Sequence, residues 1–217
     1  MTPKKNLMKT WLLSIYLIAF STAPTIQANS MNPAMPDIKA FQPIIDDLQR
    51  RFPKSPSGQL IVISTSEQRL FLITNNKVAE SHNISTAEAG LGNQSGSYKT
   101  PLGVHRISQK IGENAKAGAI FKARMNTRRI AKILTQPEQR SSADNVTSRI
   151  LWLSGMEHGI NKGGNVDSKS RFIYIHGTDE EGRLGKPASH GCIRMGNQAV
   201  IDLFNQVPVG TIVDIIE

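Results

Sequence analysis

Most apolar residues from residue 58 onward fall into short runs, and residues that favour turns separate these runs. The runs are rich in Ile, Val, Leu and Phe, which pack well on the half-buried surface of a sheet. Gly, Pro and Asn punctuate the intervals, and the whole pattern is typical of a series of β-strands. Strands are predicted over residues 60–63, 70–73, 78–85, 104–108, 150–154, 171–176 and 211–216.

Two segments instead repeat their apolar residues every three or four positions, which is the spacing of one helix face. The first begins near Pro43, a residue that is well tolerated in the first turn of a helix. The second follows Asn197, which is predicted to cap it, and stops at Pro208 and Gly210. The apolar faces are Ile44, Ile45 and Leu48 in the first helix and Val200, Leu203, Phe204 and Val207 in the second. Many short strands with a few short helices predict a mainly β domain.

The N-terminus has the layout of a secretory signal peptide. Three lysines within the first nine residues precede an apolar run at residues 11–20, and the small residue Ala28 follows. We predict a signal peptide over residues 1–28 that is cleaved near Ala28, so that the protein is exported to the periplasm or cell envelope. An uncleaved anchor and a buried helix are the alternatives, although the run is about half of the roughly 20 residues that a spanning helix needs. No integral membrane domain is expected in the mature chain.

The rest of the chain divides into a linker and one domain. Residues 29–57 carry several prolines and are interpreted as an N-terminal arm or linker, which leaves residues 58–217 as the folded domain. Within it, residues 111–148 are basic and break the strand pattern. A short amphipathic helix is predicted there from Ile130, Ile133 and Leu134. This basic stretch is interpreted either as a lid or rim over a site or as a solvated insertion.

The charge balance is basic, with 26 Lys and Arg against 17 Asp and Glu and a net charge of +9. A basic surface favours acidic partners such as nucleic acid, membranes or anionic polymers. The sequence contains no DNA-reading motif and no zinc-finger spacing, so no nucleic acid partner is expected. A basic surface without a dedicated partner is the simplest interpretation, and binding to an anionic wall polymer is compatible with it.

Cys192 is the single cysteine of the chain, which excludes an intramolecular disulfide. It is either a small buried residue or a thiol kept for chemistry. Alternation along the predicted strand puts Phe172, Tyr174 and His176 on one face, with His176 at the strand end. An imidazole that takes the thiol proton activates it as a nucleophile. His176 is preferred as this base over His190, because a residue from a separate element approaches the sulfur more freely than a near neighbour in a tight turn.

Residues around the cysteine add further chemistry. Gly191 lets the backbone approach a substrate carbonyl, and the amides near Gly191 and Cys192 are candidates for stabilising an oxyanion. Arg194 is a candidate partner for a substrate carboxylate. A zinc site formed by His176, His190 and Cys192 is the alternative, but the spacing matches no common zinc pattern and no metal is expected. The remaining histidines, interpreted as structural, are His82, His105 and His158.

These motifs resemble the signature of the L,D-transpeptidase catalytic domain, the YkuD-type family. The segment SHGCIR at residues 189–194, with HG at residues 176–177 upstream, resembles the core of that signature. YKTPLG at residues 98–103 resembles the T-P-x-G segment of the family, and VGTIV at residues 209–213 resembles its terminal strand. The resemblance covers residues 58–217 and does not include the arm.

The resemblance implies a mainly β, sandwich-like fold without a metal or organic cofactor. It implies Cys192 as the nucleophile and His176 as its base, oriented by a backbone carbonyl near Gly177, with Ser189 supporting the turn. The implied oxyanion hole consists of the amides of His190, Gly191 and Cys192. The implied substrate-binding residues are Arg194, Ser189, Gly177 and Tyr174.

The implied substrates are the peptide stems of peptidoglycan. Cys192 would attack the bond after the third residue of a tetrapeptide stem, release the terminal D-Ala and form a thioester. The acceptor would be the amine of another stem, giving a 3→3 cross-link, or a lysine of an outer-membrane lipoprotein. A hydrolase of the same fold, with water as the acceptor, and an inactive wall-binding module are the alternatives. The family also suggests acylation of Cys192 by carbapenems.

Overall fold

Ten strands form one continuous sheet in the described part of the chain, which in this computed structural model comprises residue 1, residues 35–53 and residues 58–217. The predicted signal peptide lies outside the described residues apart from Met1, and so does part of the predicted arm. The strands are β1 (Gln59–Ser64), β2 (Arg69–Thr74), β3 (Lys77–Ser85), β4 (Gly103–Ile111), β5 (Ala119–Lys122), β6 (Met125–Ile130), β7 (Val146–Gly155), β8 (Tyr174–Thr178), β9 (Ile193–Met195) and β10 (Ile212–Ile216).

The sheet closes on itself. Its order is β4-β10-β1-β2-β3-β9-β8-β7-β5-β6, and β4 also pairs with β7, so eight strands form a closed circuit from which β5 and β6 branch. The predicted antiparallel meander is present as β1, β2 and β3, and the predicted last strand is β10, which pairs in parallel with β1. The predicted mainly β class is confirmed. The strands that face each other across the core belong to one continuous sheet.

Alternate residues of the closed circuit point inward and form the main core. Ile175 of β8 and Ile193 of β9 are fully buried in it, together with residues from all the other strands of the circuit. The second helix, α2 (Asn197–Gln206), adds Leu203 and Phe204 to the same cluster, which confirms its predicted apolar face. The predicted cap was wrong: Gly196 occupies the N-cap, and Asn197 is the first helical residue.

The first helix, α1 (Gln42–Arg51), follows a short 3₁₀ turn and covers the outer face of the sheet. Its residue Ile45 packs with Val62, Phe71 and Ile73, which lie on the outer faces of β1 and β2. The helix predicted near Pro43 is therefore confirmed. None of the helices among the described residues is long and apolar enough to cross a bilayer.

The basic stretch contains a β-hairpin instead of the predicted amphipathic helix. β5 pairs with both β6 and β7, so this hairpin extends the sheet beyond the closed circuit. Ile130, which was assigned to the buried face of that helix, lies in β6 opposite Ala119 and is exposed. The prediction failed because the edge of β7 offers backbone partners that local apolar spacing does not reveal.

Candidate active site

The two faces of β8 separate the core from the site. Ile175 points into the core, so Tyr174 and His176 point to the outer face. β9 lies parallel to β8 with His176 opposite Arg194, and Cys192 immediately precedes β9. The amide of Tyr174 donates a hydrogen bond to Cys192 Sγ at 3.4 Å. Two neighbouring strands thus bring the predicted nucleophile and base to the same outer face.

Phe172 does not belong to the strand that was predicted to carry it. β8 begins at Tyr174, and Phe172 has a left-handed φ of 58° and an exposed side chain. Its backbone carbonyl accepts a hydrogen bond from the Cys192 thiol at 3.3 Å. The prediction of three residues on one strand face was wrong at Phe172, yet this residue contacts the thiol through its backbone.

Cys192 is a free, half-buried cysteine. Its side chain packs against an apolar cluster that contains Tyr174, Ile150 and Phe121. Burial raises the pKa of the Cys192 thiol to about 12, although the amide of Tyr174 acts in the opposite direction. The resting cysteine is therefore a neutral thiol at physiological pH, and a nucleophilic role would require the loss of this proton.

His176 is 2% exposed, and its Nδ1 donates a hydrogen bond to the carbonyl of Gly177 at 2.7 Å. Because a carbonyl only accepts, this contact fixes the proton on Nδ1 and leaves Nε2 as the acceptor. Burial lowers the pKa of His176 to about 4, so the imidazole is neutral and able to accept a proton. The structure contains no hydrogen bond between His176 and Cys192, both of which lie in the described range.

The turn before the cysteine is held by side-chain hydrogen bonds. Ser189 Oγ donates to the carbonyl of Cys192 at 2.6 Å and accepts from the amide of Gly191 at 3.2 Å. Gly191 has a φ of 128°, a conformation that side-chain-bearing residues rarely adopt, which explains the glycine at this position. Since the Gly191 amide is engaged, the amides of His190 and Cys192, which have no hydrogen-bond partner in the described part of the chain, are the freer oxyanion donors.

Arg194 has other partners than the predicted substrate carboxylate. Its side chain is 2% exposed, with Nη1 donating to Glu180 at 2.8 Å and Nη2 pairing with Asp144. His190 Nδ1 also donates to Asp144. Burial alone would raise the pKa of Asp144, but the charge of Arg194 and the hydrogen bond from His190 outweigh burial. The pKa is therefore lowered from its usual value, and the carboxylate is ionised. Arg194 thus lies in a buried ion network with Glu180 and Asp144, and its contact with a substrate stays a prediction.

The β5–β6 hairpin forms one side of the site. Ala119 and Phe121 of β5 pack in the same cluster as Tyr174, against which Cys192 also packs. Arg124, in the hairpin turn, donates to the hydroxyl of Tyr174 at 3.2 Å. For this part of the basic stretch, the rim interpretation agrees with the structure better than a solvated insertion. Arg124 and Asp144 were not predicted as site residues, since neither lies in a motif.

Outside this site, the described part of the chain contains a buried histidine and a cavity. His105 is buried between the carbonyl of Gly103 at 2.8 Å and Ser168 Oγ at 2.9 Å. The described residues contain no group of three or more His, Cys, Asp or Glu that could hold a metal ion. A cavity of about 460 Å³ lies between α1 and the sheet, lined by Ile45, Leu48 and other residues, none of which belongs to the site described above.

A sequence model of the L,D-transpeptidase catalytic domain, the YkuD family, matches residues 58–215. The relatives that match carry the L,D-transpeptidase name, and two of them illustrate the extent of the match. YqjB of Bacillus subtilis (strain 168) is 54% identical over 41 residues, which cover 19% of this chain and 23% of YqjB. YbiS of Escherichia coli (strain K12) is 45% identical over 47 residues, which cover 22% of this chain and 15% of YbiS. The matched segments therefore span less than a quarter of either relative.

The comparison with solved structures finds L,D-transpeptidases of low sequence identity. L,D-transpeptidase 3 from Mycobacterium tuberculosis, solved with a faropenem-derived adduct, is 16% identical with a TM-score of 0.46, covering 74% of this chain and 61% of that chain. The L,D-transpeptidase from Mycobacterium smegmatis is 16% identical with a TM-score of 0.44, covering 74% of this chain and 59% of that chain. These likenesses accompany the family match and add no functional assignment to it.

Proposed function

The chain belongs to the L,D-transpeptidase catalytic-domain family, and we propose that it is an exported cysteine acyltransferase acting on the tetrapeptide stems of peptidoglycan. The observation that carries this proposal is the common outer face of β8 and β9. A neutral imidazole with a free Nε2 and a half-buried thiol lie there beside a turn in which the amides of His190 and Cys192 are unengaged among the described residues.

In the first half-reaction, Cys192 Sγ attacks the carbonyl carbon of the bond after the third stem residue while its proton passes to Nε2 of His176. The amides of His190 and Cys192 stabilise the oxyanion, and losing one such donor typically costs about 2.7–4 kcal/mol of barrier. His176 then returns the proton to the leaving amine. The carbon–nitrogen bond breaks, the terminal D-Ala departs and a thioester remains. Gly177 contributes by holding the ring through Nδ1, so that Nε2 is the basic nitrogen.

In the second half-reaction, an acceptor amine attacks the thioester, a new amide bond forms and the thiol is restored. A side-chain amine of a second stem gives a 3→3 cross-link, and a lysine of an outer-membrane lipoprotein gives an anchored protein. The substrate and both acceptors lie outside the cytoplasm, which agrees with the signal peptide expected over residues 1–28 and with a periplasmic or envelope location.

A hydrolase is the second candidate function, because water could resolve the same thioester. Incubating the purified protein with tetrapeptide-bearing muropeptides, followed by mass spectrometry of the products, separates the two. Cross-linked dimers with loss of one D-Ala support transpeptidation, whereas tripeptide stems alone support hydrolysis. Unchanged muropeptides, with a folded protein and a free thiol, would contradict both and favour a wall-binding module.

A further inference from the structure

The tip of the β5–β6 hairpin has an unusual backbone conformation. β5 ends at Lys122 and β6 begins at Met125, so Ala123 and Arg124 form a two-residue turn. Both have left-handed φ angles, 45° and 68°, in a type of turn that usually takes Asn and Gly. Residues held in such conformations cluster at functional sites, and Arg124 is the residue of this turn whose side chain can bind a ligand.

The Arg124 guanidinium lies over the aromatic wall of the active site. Its Cζ is 4.7 Å from the ring centroid of Trp152 and 5.0 Å from that of Phe172, and Nη1 donates to the hydroxyl of Tyr174 at 3.2 Å. The backbones of Phe172 and Tyr174 in turn contact Cys192 Sγ. The guanidinium and the nucleophile therefore contact opposite ends of Tyr174, its hydroxyl and its amide.

Arg124 differs from Arg171 and Arg194, the other arginines near the nucleophile, because only one of its N–H donors is engaged within the described part of the chain. Arg194 is paired with Glu180 and Asp144, and Arg171 donates to backbone carbonyls and a serine hydroxyl. Within the described residues, Arg124 has no carboxylate partner, and its single hydrogen bond is to Tyr174. A guanidinium offers five N–H donors in a planar fork that matches a carboxylate. Stacking on two rings fixes the plane of that fork and leaves donors for a ligand.

We propose that Arg124 binds the carboxylate of the leaving D-amino acid and thereby selects stems that end at their fourth residue. This inference rests on the proposed function. The carboxylate lies one residue beyond the scissile carbonyl, a span of about 3.5 Å. Arg124 contacts Phe172 and Tyr174, the two residues whose backbones contact Sγ, so its guanidinium lies beside the nucleophile, where a group that follows the scissile bond is expected. A stem extended by a fifth residue places a peptide amide at the same position and loses the charged contact.

The test compares two soluble tetrapeptides that differ only at the C-terminus, one with the free carboxylate and one with a carboxamide. The rate of release of D-Ala or D-Ala amide gives kcat/KM for wild type and for Arg124→Gln. We expect wild type to prefer the acid by about 10- to 100-fold, the usual range for a charged hydrogen bond. We expect Arg124→Gln to bring this preference close to one, mainly by slowing the reaction of the acid.

Two further variants complete the design. Arg129→Gln removes an exposed arginine of the same hairpin and is expected to keep the wild-type preference. Arg124→Lys keeps the charge without the fork, is expected to retain part of the preference, and replaces Arg124→Gln in the comparison if the latter does not fold. An equal loss on both peptides, or an unchanged preference, would overturn the role of Arg124. If wild type releases neither D-Ala nor D-Ala amide, so that both peptides stay intact, this result would instead refute the proposed function, and the role of Arg124 with it.

Discussion

Burial acts on the two central residues in the direction of their neutral forms. It raises the pKa of Cys192 to about 12 and lowers that of His176 to about 4, so neither carries a charge at neutral pH. The site therefore rests as a thiol and an imidazole, in contrast to sites that store a preformed thiolate. In the proposed mechanism, the proton moves from the thiol to the imidazole only when a substrate carbonyl is in place.

The first expectation concerns the reactivity of Cys192 in the absence of substrate. Alkylation by iodoacetamide requires thiolate, so the native protein at pH 8 is expected to react more than 10-fold slower than the urea-unfolded protein, in which the thiol has an ordinary pKa of about 8.5. A profile of rate against pH is expected to show no inflection below about pH 10. Rapid native labelling, or an inflection near pH 8, would contradict a neutral shielded thiol.

The second expectation concerns Asp144, which joins His190 and Arg194 under the catalytic turn. Asp144→Asn removes the negative charge that Arg194 and His190 contact and leaves Arg194 with Glu180 alone, so we expect a loss of about 2–4 kcal/mol in the free energy of unfolding. Urea denaturation at pH 7 measures it. The exposed pair of Lys186 and Glu138 provides a control, since Glu138→Gln is expected to leave the denaturation midpoint almost unchanged. Equal effects of the two substitutions would contradict a structural role for the network.

At the scale of the elements, the local sequence pattern predicted the strands and helices that bury a regularly spaced set of apolar residues. β1, β2, β10 and both helices met this condition, because their apolar residues recur at strand or helix spacing. β9 was missed because it has three residues and depends on pairing with β8 and β3. The β5–β6 hairpin was missed because β6 is almost entirely exposed and carries no apolar face.

The candidate site was predictable to the same extent. Cys192, His176 and the contact from His176 to Gly177 followed from a short motif and a resemblance to a family. The pairing of Arg194 with Asp144 could not be predicted, because Asp144 lies 50 residues earlier in the sequence and within no motif. The contacts of Arg124 could not be predicted for a similar reason. It is one of many basic residues in this stretch, and it contacts Tyr174 and Trp152 only in the folded hairpin.

The third expectation concerns the packing of β8 against β7 and α2. A Cβ at Gly177 would lie 2.8 Å from the carbonyl oxygen of Thr147 and 2.8 Å from Asn197 Oδ1, so Gly177→Ala must displace β8. We expect a stability loss of about 1–3 kcal/mol and a marked fall in kcat, because the backbone carbonyl of Gly177 orients His176. Gly58→Ala is the control, since its Cβ would meet only Asn75 at an ordinary 3.5 Å. Wild-type activity of Gly177→Ala would contradict this account of how the base is held.

At the scale of the whole molecule, the closed sheet buries histidines as well as apolar residues. His105 and His176 are both buried, with pKa values lowered to about 4 mainly by burial. Between that pH and about 6.5 the unfolded chain binds protons that the folded chain excludes, so stability falls as the pH falls through this range. Asp214 acts in the opposite direction, because burial raises its pKa to about 6 and the folded chain then binds its proton more readily.

The fourth expectation follows from this balance. Two histidines against one aspartate leave a net loss of stability on acidification, with a slope of up to about 1.4 kcal/mol per pH unit for each proton bound in excess by the unfolded chain. His105→Gln is expected to reduce this slope between pH 6.5 and 5, and Asp214→Asn is expected to steepen it between pH 6 and 4. Urea denaturation at several pH values measures both. Stability that is constant or rises on acidification to pH 5 would contradict the neutral burial of the histidines.

The central claim is that Cys192 forms a covalent acyl-enzyme with His176 as its base. Intact-protein mass spectrometry after incubation with a carbapenem tests it most directly, using wild type, Cys192→Ala and His176→Gln. We expect a one-to-one adduct on wild type that is absent from Cys192→Ala and forms at least 100-fold more slowly on His176→Gln, in the range typical of a general base. An adduct that persists in Cys192→Ala, or its absence from folded wild type with a free thiol, would contradict the claim.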